Sequence, residues 1–171
     1  MTPSKTPSIA VGVAVYVVLG LISAFIMFNG GTGAQMLGSV FGCLVMLTVP
    51  VVAVWHYASS NALTLSAGQG AGLGALATAV GVVISGLISL GLQAVGAFPS
   101  NEEIMDRQRD QLIAQGNMSP EDVDQMMGFF GGMADNPLLS LGSNALIGAV
   151  VGAIAGAIAA AVFKKGDAEL V

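Results

Sequence analysis

The sequence predicts an all-α protein: a polytopic transmembrane four-helix bundle, with a short extramembrane helical hairpin between the third and fourth spans. Of its 171 residues, 54% are hydrophobic and 9% are charged, whereas roughly a quarter of an average soluble domain is charged. The apolar residues lie in long blocks and do not alternate with polar ones. Such blocks predict membrane-spanning helices rather than the strands of a β-barrel.

Four apolar blocks without Asp, Glu, Lys or Arg predict the spans. They cover about residues 9–28, 36–55, 70–98 and 138–163. Each reaches the roughly 20 residues that a helix needs to cross about 30 Å of hydrocarbon. The first block is longer than the apolar part of a secretory signal peptide, so we expect it to remain as a span. Together the blocks predict one membrane domain over residues 1–171.

The start of the third span is the least defined boundary. Residues 61–69 are uncharged and could extend this span backwards. The stretch from residue 62 to residue 98 is too short for two full spans and a turn, so the sequence favours one long or tilted helix. Pro50 lies inside the second block, where its missing amide predicts a kink that frees a carbonyl near Met46.

Basic residues near the span ends predict the orientation of the chain. Lys5 precedes the first span, and Lys164 and Lys165 follow the last, whereas two arginines lie in the long connection before the fourth span. An even number of spans places both termini on one side of the membrane. We therefore expect both termini in the cytoplasm and residues 99–137 outside, which is the periplasm in a Gram-negative bacterium.

Residues 99–137, called the insert from here on, have the pattern of a helical hairpin. Ser100 and Glu103 have the spacing of a capping box, which satisfies free amides at a helix start. Gly116 stands where a left-handed residue ends this first helix, and Ser119, followed by a proline, begins the second. The insert is therefore predicted to contain two short helices joined by a tight turn.

The insert combines charge with apolar side chains. Its acidic residues are Glu102, Glu103, Asp106, Asp110, Glu121, Asp122, Asp124 and Asp135. With two arginines, its net charge is −6. Glu103 and Arg107 are four residues apart, a spacing that favours a surface ion pair. Met126, Met127 and Phe130 recur at helical spacing on the second helix, and we interpret them as partner-docking residues.

Two stretches carry a family resemblance: the hairpin sequence from Arg107 to Met127, and the glycine-rich last span that ends in Lys164 and Lys165. With the order of the spans, they resemble a bacterial membrane family known as domain of unknown function 4199. The resemblance covers nearly the whole chain. It implies a small four-span protein of the bacterial inner (cytoplasmic) membrane, with a polar insert before the last helix. It implies no activity and no functional residues.

Glycines spaced by four residues mark one edge of the last span. They are Gly148, Gly152 and Gly156, and the absence of side chains there lets another backbone approach closely. We interpret this edge as packing against the protein's own helices. The alternatives are that this edge contacts another copy of the chain, a partner subunit or a lipid. Shorter versions of the same pattern are Gly38 with Gly42 and Gly70 with Gly74.

Side chains suited to catalysis or metal binding are sparse. His56, the single histidine, stands between aromatic residues typical of the headgroup zone, and Cys43 is the single cysteine. No charged residue lies deep in a span, and we find no Ser/His or paired-Asp arrangement. Ser85 and Ser89 are expected to form hydrogen bonds between helices. We expect no enzyme, no cofactor and no metal site, since neither the methionines nor the carboxylates of the insert form a recognisable ligand set.

These observations predict a non-enzymatic structural or interaction protein, an accessory subunit that docks partners through its acidic insert. A small oligomeric pore or transporter is the alternative, suggested by the glycine edges and by Pro50. The expected partners are the lipid bilayer and either further copies of the chain, forming a homo-oligomer, or another membrane protein. The net charge of −5 argues against nucleic acid, whose binders normally carry a basic face.

Overall fold

The computed structural model describes residues 3–29, 32–116, 118–134 and 136–163. Within these ranges the chain forms six helices. They are α1 (Thr6–Asn29), α2 (Thr32–Asn61), α3 (Ala67–Ala94), α4 (Asn101–Ala114), α5 (Pro120–Ala134) and α6 (Pro137–Val162). This order confirms the predicted all-α fold, with a hairpin of two short helices between the third and fourth long ones.

Four of the described helices are long and apolar enough to cross a membrane. The candidate spans are Thr6–Phe28, Leu37–Asn61, Ala67–Ala94 and Leu138–Val162. Each overlaps one of the four predicted blocks, so length and composition support a multi-pass membrane protein. The second span was predicted to end at Trp55, but α2 continues to Asn61, because no helix-breaking residue intervenes.

The turn between α2 and α3 lies in a stretch that the sequence left ambiguous. Ala62 has a positive φ of 50°, and the amide of Leu63 donates to the carbonyl oxygen of Ala58 at 3.0 Å. This bond closes the end of α2 as in a Schellman motif. Ser66 N then donates to Gln69 Oε1 (3.1 Å) and Gln69 N to Ser66 Oγ (3.3 Å), which caps α3. Residues 62–98 therefore hold one long helix, as expected, and it begins at Ala67, three residues before the predicted start at residue 70.

The third span ends at Ala94, four residues short of the predicted end. Gly96 adopts a positive φ of 72°. Its amide donates to Gln93 O at 3.0 Å, and the amide of Ala97 donates to Leu92 O at 2.9 Å. This pair of bonds is the Schellman end of a helix, and its left-handed position favours glycine. Gly96 therefore ends α3 although the apolar block continues.

The chain divides into two compact units. The first unit consists of Met1–Leu87 and Asn144–Val171, and the second of Ile88–Ser143. The buried core of the first unit comprises Val45, Val49, Ala53, Val54, Tyr57, Ala58, Leu65, Leu73, Ala77, Ala159 and Ala160. Most of these side chains are small, so neighbouring helices can approach closely. The second unit contains the hairpin of α4 and α5.

Large apolar side chains of the first unit point outward. On α1, Val18 and Phe25 are 56% and 61% exposed, and on α6, Ile154 and Ile158 are each 61% exposed. In water such a surface would be unfavourable, whereas hydrocarbon solvates it well. The surface of the first unit therefore suits contact with the acyl chains of a bilayer.

Candidate functional site

Hydrogen bonds at the helix ends fix the hairpin of the second unit. Glu103 N donates to Ser100 Oγ (3.2 Å), and Ser100 N donates to Glu103 Oε2 (2.8 Å), which forms the predicted capping box. Gly116 follows α4 with a φ of +67°. At the start of α5, Asp122 N donates to Ser119 Oγ at 3.2 Å. Both helices therefore begin with a side-chain cap, as the local sequence indicated.

An ion pair between Arg109 and Asp124 joins α4 to α5. Arg109 Nε lies 2.6 Å from Asp124 Oδ1, and Nη2 lies 3.2 Å from Oδ2. The shared hydrogen bond lowers the pKa of the Asp124 carboxyl and raises the pKa of the Arg109 guanidinium. The spacing of Glu103 and Arg107 predicted a pair within α4. In the described residues the ion pair crosses the hairpin instead, and that prediction is wrong.

The described carboxylates of the hairpin all lie at its surface. They are Glu102, Glu103, Asp106, Asp110, Glu121, Asp122 and Asp124, which we call the acidic surface. Asp106 and Asp110 are one helical turn apart on α4 and belong neither to a cap nor to the ion pair. Asp135 lies outside the described residues. The acidic surface is thus the most charged feature in the described part of the chain.

The structure describes the side chains of two of the three predicted docking residues. Met126 and Met127 are partly buried on α5, close in sequence to Val123, which is fully buried. Each of the two methionine side chains is therefore half-buried, and part of it remains accessible. Phe130 belongs to α5, but its side chain lies outside the described residues. The docking role of these residues stays a prediction.

In the first unit, the glycine edge of α6 lies against α3. A methyl group on Gly156 would meet the carbonyl oxygen of Gly70, and a methyl group on Gly74 would meet the carbonyl oxygen of Gly152. Backbone therefore touches backbone at two levels, and this register makes the two helices antiparallel. The sequence left several partners open for the glycine edge of α6. In the structure, this edge faces the protein's own third span.

Side chains from neighbouring positions complete the contact between α3 and α6. A methyl group on Gly148 would lie 3.0 Å from Val82 Cγ2, and one on Gly74 would lie 3.0 Å from Pro50 Cβ. Thr78 is fully buried, and its hydroxyl donates to Gly74 O at 2.9 Å. Pro50 is fully buried inside α2. Its ring thus packs where α3 carries a glycine.

The other glycine pair on α2 faces α1. A methyl group on Gly38 would lie 2.9 Å from Met27 Cβ, and one on Gly42 would lie 3.4 Å from Ser23 Oγ. Ser23 Oγ donates to the carbonyl oxygen of Gly38 at 2.8 Å. Both glycines therefore lie where α1 and α2 pack together.

A cavity of about 410 Å³ lies at the ends of α1, α2 and α3. Its lining residues are Pro3, Ser4, Lys5, Tyr57, Leu65, Gln69 and Leu73. Tyr57 is 2% exposed, and its hydroxyl donates to the carbonyl oxygen of Pro3 at 2.9 Å. This bond holds the segment before α1 against the end of α2. Sequence reasoning missed the cavity, because its lining comes from three separate segments and only Lys5 stood out.

A polar pair inside the first unit was also missed. Ser8 Oγ lies 2.9 Å from His56 Nδ1, which joins α1 to α2. The expectation that no Ser/His arrangement exists is therefore wrong, because folding brings together two residues far apart in sequence. Ser85 was expected to bond between helices, but its buried hydroxyl has no partner among the described residues. Within those residues, no three His, Cys, Asp or Glu side chains cluster as metal ligands.

Four apolar helices, an apolar surface and a capped polar hairpin define a multi-pass helical membrane protein. The chain belongs to the family described as protein of unknown function (DUF4199), whose model matches residues 8–165. The match spans all four candidate membrane helices and the hairpin, so the family resemblance is confirmed. Neither a curated protein nor a solved structure matches the chain.

Proposed function

We propose that this chain is a non-enzymatic accessory protein of the bacterial inner (cytoplasmic) membrane that binds a basic partner protein through the insert. In this proposal both termini face the cytoplasm and residues 99–137 face the periplasm. The observation that supports it best is the acidic surface, whose seven carboxylates are exposed on an ordered hairpin. A predominantly acidic surface favours a partner with positive charge.

The charges of the hairpin favour a basic partner over an apolar one. The insert has a net charge of −6, and Arg109 already pairs with Asp124. Exposed charges attract a partner over about 10 Å at ordinary ionic strength, and salt weakens that attraction. Met126 and Met127 are partly accessible beside these charges and add adaptable apolar contact. We therefore expect binding that weakens as salt rises.

The test begins with purification of the tagged full chain in mild detergent and identification of its partner by mass spectrometry. Affinity for the purified partner is then measured at several salt concentrations. Asp106→Asn combined with Asp110→Asn removes two charges without touching a cap or the ion pair. We expect affinity to fall about tenfold and to depend less on salt.

A matched control removes the same number of charges elsewhere in the chain. Asp167→Asn combined with Glu169→Gln changes the carboxy-terminal segment, which the proposal places on the opposite side of the membrane. This variant should bind the partner like the wild type. Equal affinity of the Asp106/Asp110 variant and the wild type, or binding that ignores salt, would contradict the proposal.

The Ser8–His56 pair supports a packing role rather than catalysis. Ser8 is 2% exposed, so a substrate carbonyl cannot reach its hydroxyl from solvent. A serine nucleophile also needs a third group that orients the histidine and donors for the oxyanion. We assign the hydrogen bond to the contact between α1 and α2.

A small oligomeric pore or transporter remains the alternative function, with less support. The edge that could have joined copies, formed by Gly148, Gly152 and Gly156, faces α3 within one chain. An oligomer would have to use another surface. Liposomes that contain the purified protein test this alternative: flux of ions or small neutral solutes above that of protein-free liposomes would favour it.

A further inference from the structure

The cavity at the ends of α1, α2 and α3 has the size and lining of a ligand site. Its volume of about 410 Å³ lies within the range of small-molecule pockets, roughly 300–1,000 Å³. Leu65 and Leu73 are 5% and 1% exposed and give the cavity an apolar side. Ser4, Lys5 and Gln69 supply polar groups. An apolar wall with a few polar groups is typical of a specific binding site.

One positively charged side chain, that of Lys5, lines this cavity. Lys5 is the single Lys, Arg, Asp or Glu among the described residues of the first unit. Its ammonium therefore has no carboxylate partner in that part of the chain. A cation next to low-dielectric walls creates a local positive potential. The cavity thus attracts anions rather than cations.

Two helix starts strengthen this preference. α1 begins at Thr6 and α3 begins at Ala67, and cavity-lining residues lie at both starts: Lys5 directly before α1 and Gln69 in the first turn of α3. The helix dipole makes a helix start favourable for negative charge. The hydrogen bond from Tyr57 to Pro3 O (2.9 Å) holds the segment that carries Lys5 in place. The segment on the positive side of the cavity is therefore attached to α2.

From the cavity, the two helix starts and the charge of Lys5, which no described residue of the first unit balances, we propose that this site binds an anionic phosphate group. The group belongs either to an anionic lipid headgroup or to free phosphate. The cavity lies at the ends of three candidate spans, the level at which lipid headgroups meet a protein. The apolar walls at Leu65 and Leu73 also suit the start of an acyl chain. The lipid is thus the better fit. This proposal does not depend on the insert.

Thermal unfolding of the purified full chain in detergent tests the proposal with three probes. They are short-chain phosphatidylglycerol, short-chain phosphatidylcholine and inorganic phosphate. A ligand that binds the folded state raises the Tm in a saturable way. We expect phosphatidylglycerol to raise the Tm more than phosphatidylcholine. Stabilisation by inorganic phosphate at the same concentration would identify free phosphate as the source, and its absence would identify the lipid.

Variants of Lys5 test whether the rise in Tm comes from lipid bound at this cavity. Lys5→Gln should weaken the apparent affinity for phosphatidylglycerol about tenfold, whereas Lys5→Arg should keep it within about threefold. Arg107→Gln removes one exposed positive charge from the second unit and should leave the affinity unchanged. Lys5 is exposed, so the variants should unfold at the wild-type Tm without ligand. Equal stabilisation by the two lipids, or wild-type affinity in Lys5→Gln, would overturn the proposal.

Chemical labelling of the wild-type protein gives a second measurement that needs no variant. An amine-reactive reagent followed by peptide mapping reports the reactivity of Lys5. Phosphatidylglycerol should slow the labelling of Lys5 at least about threefold more than phosphatidylcholine does, because its phosphate group pairs with the Lys5 ammonium. Equal labelling of Lys5 with both lipids would overturn the proposal.

Discussion

Gly70 on α3 and Gly156 on α6 touch through their backbones, so that a methyl group on either glycine would collide with the other helix. Lipid chains are as apolar as leucine, and hydrophobic burial therefore does little to drive helices together inside a bilayer. Van der Waals contact at close range does this instead, and glycines allow it. The contact between α3 and α6 should accordingly tolerate added volume less than any other part of the first unit that we describe.

Alanine substitutions on α3 test this contact directly. A methyl group on Gly74 would meet the carbonyl oxygen of Gly152, whereas Gly72, two residues earlier, has open space around it. We expect Gly74→Ala to lower the free energy of unfolding by about 1–3 kcal/mol or more through overpacking. Gly72→Ala should be neutral or raise it by up to about 1 kcal/mol, since alanine favours the helix. Unfolding in mixed detergent measures both, and equal effects would contradict the close approach.

Two serines with buried hydroxyl groups should respond differently to the loss of that group. Ser8 Oγ bonds to His56 Nδ1 at 2.9 Å, whereas Ser85 Oγ is buried without a partner among the described residues. Ser8→Ala should lower the free energy of unfolding by about 0.6–1.7 kcal/mol, the range for hydrogen bonds between membrane helices. Ser85→Ala should leave it unchanged or raise it. The same unfolding assay compares them, and a larger loss in Ser85→Ala would refute the assignment.

The hairpin should loosen only in strong acid. Arg109 lowers the pKa of Asp124 in the folded state below its unfolded value of about 3.9. The ion pair therefore stabilises the hairpin fully above about pH 4 and is lost as the pH falls through the lower folded pKa. Because the pKa of Arg109 is raised, that side of the pair stays charged wherever Asp124 titrates.

Hydrogen exchange of the α4 and α5 amides against pH measures this loss. Protection should stay constant between about pH 5 and 8 and fall below about pH 4. Asp124→Asn should remove that part of the pH dependence, with Asp110→Asn as the control that retains it. A loss of protection centred near neutral pH would show that another group governs the hairpin.

The orientation of the chain can be tested by cysteine labelling in intact cells. Cys43→Ser gives a background without thiols, because the chain has one cysteine. Asp110→Cys places a thiol on the exposed face of α4, and Gly68→Cys places one at the start of α3, where the structure leaves open space. A membrane-impermeant maleimide should label residue 110 directly and residue 68 only after permeabilisation. The reverse pattern would invert the proposed topology.

Features that depend on neighbouring residues were predictable from the sequence. The four spans follow from uncharged apolar blocks, and the capping box at Ser100 follows from the residue three positions later. The left-handed end of α4 was predictable because Gly116 follows the last helical residues. The end of α2 was not predicted, because Ala62 adopts a positive φ of 50° and alanine is not a residue that usually indicates such a conformation.

Contacts between distant segments were beyond sequence reasoning. The glycines at 148, 152 and 156 predict that another helix approaches α6 closely. Any helix with a flat face could do so, and only the folded structure shows that this helix is α3. Ser8 and His56 each have an unremarkable place in the sequence, and their hydrogen bond depends on how α1 lies against α2. The cavity beside Lys5 likewise depends on the fold, because three separate segments of the chain line it.

The close contact between α3 and α6 also determines when the protein can finish assembling. α1 and α2 are made first and contact each other, so this pair can associate while the ribosome is still translating. The glycines of α3 must wait until the whole hairpin has been translated and the last helix has entered the membrane. A nascent chain that stops before α6 therefore carries an open groove of bare backbone along α3, and quality-control proteases could recognise it as unfinished.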